Sequence, residues 1–222
     1  MRITEALPFL VFLLFAFSSA AQVNDAGLWT SISLKKELHK KIDLNAESEL
    51  RLFENLSEIR TSFIDLSAQY KINEFLRAGL NYRFGNRKQL DDSFDLRQRW
   101  AFDLVAKTKW KDLGIGLRSR FQQSIETLNS EADIEFNRTW RNKISLEHKV
   151  FKKTEAEFNA ELFSSKQKAE HVLTDIRLSI GLNYKLKKRK IIKAGYLFQS
   201  EIAQPNPARD FVILLGYAYE FK

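Results

Sequence analysis

Three histidines, His39, His148 and His171, and no cysteine make up all the imidazole and thiol in this 222-residue chain. A serine hydrolase needs a hydroxyl and an imidazole within hydrogen-bond reach, with a third group to orient them. The one pairing of that kind is His171 beside Ser164 and Ser165. Three histidines without a thiolate leave too few ligands for a zinc centre, and no glycine-rich phosphate loop is present. Glu157 and Glu161 are four residues apart, a spacing open to acid–base work, but arginines nearby explain them equally well as ion-pair partners. The expectation is therefore no catalytic residue, no metal site and no cofactor.

The charged side chains that remain are more ordered than the histidines. Arg77, Arg83, Arg97, Arg99, Arg118, Arg120, Arg141 and Lys143 lie in the middle of the chain. Acids gather on either side, Asp43, Glu47 and Glu49 before them and Glu155, Glu157 and Glu161 after. Their spacing is by twos, and apolar residues fill the intervening positions. Such alternation is the signature of a β-strand with one polar and one apolar face.

Eleven segments show this pattern. Leu28, Thr30, Ile32 and Leu34 oppose Trp29, Ser31, Ser33 and Lys35 in the first. In the last, Phe211, Ile213, Leu215, Tyr217, Tyr219 and Phe221 oppose Val212, Leu214, Gly216, Ala218 and Glu220. The connections read as short near His39–Lys41, Asn73–Glu74, Thr108–Asp112, Phe151–Thr154 and Lys187–Lys190. They read as long near Phe53–Thr61, Gly85–Ser93, Gln123–Thr139, Ser164–His171 and Ser200–Asp210. Short and long take turns, as in an up-and-down barrel set in a membrane.

A soluble sandwich or lipocalin-like barrel also alternates, with its apolar side chains inward. Segments of about 9–11 residues suit a membrane crossing better. Aromatics at segment ends (Tyr70, Phe75, Trp110, Phe151, Tyr184) look like interfacial girdles. The expected fold is all-β, a transmembrane up-and-down antiparallel β-barrel. Eleven segments conflict with the even number usual in bacterial barrels, so the expectation is 10–12 strands. The eleven arginines and acids proposed to line its lumen are Arg77, Arg83, Arg97, Arg99, Arg118, Arg120, Arg141, Glu47, Glu49, Glu157 and Glu161. Two readings stand for them: a salt-bridged plug, or a channel whose basic arc favours anions.

The first 21 residues differ from the rest. Arg2 precedes an apolar run from Leu7 to Phe17, and Ser18–Ala21 supplies small residues for cleavage after Ala21. The run is too short to cross a bilayer and fits a secretory signal peptide. The expected domains are a signal peptide over 1–21 and a barrel over 22–222. The net charge of +8 points to anionic partners. In an exported barrel, basic turns such as Lys187–Lys190 meet anionic lipid headgroups rather than nucleic acid.

The Gly27–Leu34 opening with its basic turn, Glu49–Arg51, Arg97–Arg99, Arg118–Arg120 and Gly181–Tyr184 together resemble the Gram-negative family labelled domain of unknown function 2490. That resemblance implies an outer-membrane β-barrel and carries no established activity. Tyr217, Tyr219 and Phe221 also resemble the last-strand signal read by the outer-membrane assembly machinery, although Lys222 follows the final aromatic. The expected partners are outer-membrane lipids and that machinery. The expected function is a non-enzymatic outer-membrane barrel, a small pore or structural component. Its rivals are a barrel hydrolase acting on lipid or peptide, and a soluble periplasmic ligand binder.

Overall fold

Residues that alternate between apolar and charged cannot bury both faces against protein, so they pair edge to edge and separate the two kinds of side chain across one wall. The computed structural model describes residues 24–89, 92–127, 134–167, 170–186, 189–202 and 204–221. The proposed signal peptide and its Ala21 cleavage site lie outside them.

The described chain forms eleven strands. They are β1 (Asn24–His39), β2 (Ile42–Phe53), β3 (Glu58–Lys71), β4 (Leu76–Lys88), β5 (Phe94–Trp110) and β6 (Leu113–Thr127), followed by β7 (Ile134–Phe151), β8 (Thr154–Gln167), β9 (Glu170–Lys185), β10 (Lys190–Glu201) and β11 (Arg209–Phe221). Each pairs antiparallel with its neighbours in sequence. The sheet closes where β1 meets β11, with Asn24 opposite Arg209 and Lys36 opposite Phe221. With an odd number of strands that seam has to be parallel, and it is. The eleven segments read from the sequence are therefore all in the wall.

The strict alternation of short and long connections is corrected. β8 ends at Gln167 and β9 begins at Glu170, so the connection expected at Ser164–His171 is strand for most of its length. β6 runs on to Thr127 and β7 starts at Ile134, which absorbs most of the proposed Gln123–Thr139 connection. β7 has 18 residues where β2 and β10 have 12.

The outer face is apolar. Ile64, Leu80, Trp100, Ile144, Ile180 and Leu215 stand exposed on it. Tyr70, Phe75, Trp110, Phe151, Tyr184 and Phe221 form a ring of aromatics at the end that carries the short turns. A second band holds Tyr82 against Trp100 at 4.5 Å and Phe121 against Trp140 at 5.9 Å. Trp100 and Trp110 lie ten residues apart on β5, which at ~3.4 Å per residue and a tilt near 40° puts the bands ~25 Å apart. Inside, Phe53, Trp29, Val212 and Leu197 on neighbouring strands β2, β1, β11 and β10 form an apolar cluster. Small residues recur on the inner side of the seam, with Gly27 beside Val212, Ser31 beside Gly216 and Ser33 beside Ala218.

Candidate functional site

Register sends the alternate residues of every strand inward, and on β2 to β9 these are mostly charged. Arg120 on β6 lies opposite Asp103 on β5. It donates from Nε to Asp103 Oδ1 at 2.6 Å and from Nη2 to Oδ2 at 2.7 Å. This paired geometry matches the planar guanidinium to the carboxylate. Asp103 also accepts from Asn81 Nδ2 at 3.0 Å and is only 1% exposed.

Glu161 on β8 serves three arginines. Arg141 donates to both its oxygens at 3.0 and 2.8 Å, and Arg118 from β6 donates at 2.6 Å. Arg177 from β9 stands 4.0 Å away. Asp65 on β3 serves two, Arg83 from β4 and Arg99 from β5. Arg51 pairs with Glu49 on its own strand. Seven arginines thus share four carboxylates.

Aromatic faces support the remaining guanidinium surface. Arg51 lies 3.6 Å from the centre of the Trp29 ring, and Arg83 lies 3.4 Å from that of Phe63. Arg177 is held between Trp29 at 5.1 Å and Phe163 at 4.9 Å. Trp29 on β1 and Phe163 on β8 belong to strands that are not neighbours, so this sandwich reaches across the interior. Stacking fixes the plane of each guanidinium and leaves its N–H edge free to point inward.

A chamber of about 630 Å³ lies among these groups. Nine arginines line it, against Glu47, Glu49, Asp65 and Asp175. Arg87 is shared with a cavity of about 800 Å³ at the mouth formed by the β2–β3, β4–β5 and β10–β11 connections. Trp29, Glu47 and Glu49 are shared with a smaller space of about 250 Å³ bordered by Gly181, Gly195 and Gly216. The opposite mouth holds a basic cavity of about 680 Å³ with Lys107, Lys149, Lys152, Lys153 and Lys185 on its rim.

A family model described as "Protein of unknown function (DUF2490)" matches residues 26–210. The chain belongs to that family. The match takes in β1 to β10 of the wall. No curated protein matches the sequence. Among solved structures the barrel is similar to the beta domain of the Bordetella autotransporter BrkA, with a TM-score of 0.49 and 10% identity over 79% of this chain and 82% of that one.

Within this DUF2490 barrel, Arg77, Arg83, Arg97, Arg99, Arg118, Arg120, Arg141, Glu47, Glu49, Glu157 and Glu161 all sit at inward positions of their strands. Among them the structure pairs Glu161 with Arg118 and Arg141. Glu47 and Glu49 face Glu157 across the 250 Å³ space, acid toward acid with Lys193 beside them. Glu157 accepts instead from Asn159 at 3.0 Å and Asn183 at 3.3 Å. Arg77 pairs with Asp43 two strands away.

Asp65, Asp103, Arg51 and Arg177 were legible only as polar-face positions. That they hold the network depends on distances between strands, which one strand's sequence does not carry. His148 is exposed on the outer face, and His39 accepts from Lys41 N–H in the β1–β2 turn. The backbone of His171 pairs with Lys166, and its side chain lies outside the described residues. Tyr217, Tyr219 and Phe221 line up on the outer face of β11, the last two in edge contact at 4.8 Å. Among the described residues no group of three or more His, Cys, Asp and Glu stands ready for a metal.

Proposed function

We propose that this chain is a non-enzymatic barrel of the outer membrane, exported with a cleaved signal peptide, that forms a small pore with a preference for anions. One observation carries the reading: the closed wall turns its apolar residues outward and its arginines inward, the inverse of a soluble protein. In water that much exposed apolar surface has no partner, whereas in a bilayer it meets acyl chains between two aromatic bands. The central chamber shares lining residues with the cavity at the outer mouth and with the glycine-bordered space, and within it nine arginines outnumber four carboxylates. Fixed charge of one sign in a narrow passage sets ion preference.

The test is single-channel conductance of purified protein in a planar bilayer, with fractionation of the membranes that contain it. A small conductance with an anion-favouring reversal potential is expected. Replacing Arg97, Arg99, Arg118 and Arg120 with glutamine should move that potential toward zero. Recovery in the soluble periplasm, or a bilayer without conductance, overturns the pore.

A second reading, a sealed structural barrel, draws on the Trp29–Arg177–Phe163 sandwich that reaches across the interior. Absence of conductance together with correct membrane insertion is its signature.

A further inference from the structure

The chamber is built with more guanidinium than carboxylate, and where the excess sits is specific. Glu161 is divided among Arg118, Arg141 and Arg177, and Asp65 between Arg83 and Arg99. A carboxylate has about four acceptor positions, so the arginines sharing one cannot all be satisfied by it. Arg118 Nε is buried and has no hydrogen-bond acceptor among the described residues. Concentrating like charges away from bulk water is costly unless an opposite charge joins them. The aromatic faces of Trp29, Phe63 and Phe163 hold the neighbouring guanidinium planes of Arg51, Arg83 and Arg141 in place before any ligand arrives. Such preorganisation removes much of the ordering cost of binding.

We infer that the chamber is a saturable binding site for a small solute bearing a multivalent oxyanion, a phosphate or sulfate group, held by Arg99 and Arg118 with the stacked arginines around them. Guanidinium edges match the tetrahedral oxyanion two oxygens at a time. A space of about 630 Å³ admits a group larger than a bare ion. The inference goes beyond ion preference, since a pore can favour anions through its field without holding one. It rests on the inward placement of the arginines and is independent of whether the chamber conducts.

The experiment is calorimetric titration of the folded full barrel in detergent micelles with inorganic pyrophosphate at low ionic strength, with sodium chloride as the competitor. One pyrophosphate per barrel is expected, bound at least tenfold more tightly than inorganic phosphate. Arg99→Gln and Arg118→Gln, measured separately, should each weaken binding tenfold or more. Lys152→Gln/Lys153→Gln at the far mouth should leave it unchanged. Should one arginine variant fail to show the heat-modifiable migration of a folded barrel, the other still decides. Glu161→Gln, which removes the shared carboxylate, should tighten binding several-fold. Absence of saturable heat, binding lost in the lysine variant, or binding unaffected by both arginine variants overturns the proposal. Anion-selective conductance without pyrophosphate binding would defeat this inference and leave the pore standing. Binding without conductance would do the reverse.

Discussion

The Asp103–Arg120 pair shows how much one inward position can decide. Both are buried, and Asp103 takes two bonds from the guanidinium and a third from Asn81. Asp103→Ala leaves a buried guanidinium without its anion, and should cost ~3–5 kcal/mol in an unfolding titration of the lipid-reconstituted barrel. The double variant Asp103→Leu/Arg120→Met should recover a large part of that loss, because no charge is stranded. Leu215, exposed on the outer face of β11, tests the other side of the wall. Leu215→Arg should cost ~2–4 kcal/mol if it lies near the bilayer midplane. Ser67→Asn, inside on β3, should stay within ~0.5 kcal/mol. Equal losses would mean the faces are misassigned. Read from the sequence alone, Val212→Thr is a neutral inward substitution. The structure revises this, since Val212 is fully buried against Trp29, Phe53 and Leu197. A hydroxyl there has no partner and should cost ~1–3 kcal/mol.

At the scale of the strand, glycine separates close approach from open space. Gly181 and Gly195 face each other on β9 and β10, and a Cβ at Gly195 would lie 2.7 Å from the Ile180 carbonyl oxygen. Gly195→Ala must therefore push two backbones apart, and should destabilise by ~1–3 kcal/mol. At Gly114 the nearest atom is 3.4 Å away, on the Glu147 side chain, and alanine should be accepted with little loss in the same titration.

Strand parity was readable, because the apolar side chains mostly stand on the outer face and the charged ones mostly turn inward. Strand ends were not. Beyond the second aromatic band the outer face of β6 and β7 becomes polar at Gln123 and Arg138, yet these two residues still pair with one another. Periodicity fades there while backbone pairing continues, so in the sequence this polar strand looks like loop. The arginine partners were hidden for another reason. Arg118 reaches Glu161 from two strands away, and Arg99 reaches Asp65 in the same way. Closure of the barrel alone sets those distances.

At the scale of the whole molecule, the strand directions fix which connections share an end. The β10–β11 connection shares its mouth with the starts of β1 and β11, and the β7–β8 turn lies at the other mouth. With the basic turns toward the periplasm, an epitope inserted between Gln204 and Pro205 should be labelled on intact cells. One inserted between Lys152 and Lys153 should be labelled only after the outer membrane is opened. The reverse pattern would invert the barrel in its membrane.

The parallel seam has a further consequence. In most compact proteins the two ends of the chain lie close together, and a short linker can join them so that new ends are opened elsewhere. Here β1 and β11 run the same way, so Asn24 and Phe221 emerge at opposite mouths, ~30 Å apart by the same rise and tilt. A circular permutant with a five-residue linker cannot close. A linker long enough to return through the bilayer would need its own backbone hydrogen bonds satisfied there. It could meet that demand by entering between β1 and β11 as an antiparallel strand. A permutable version of this barrel would therefore have twelve strands.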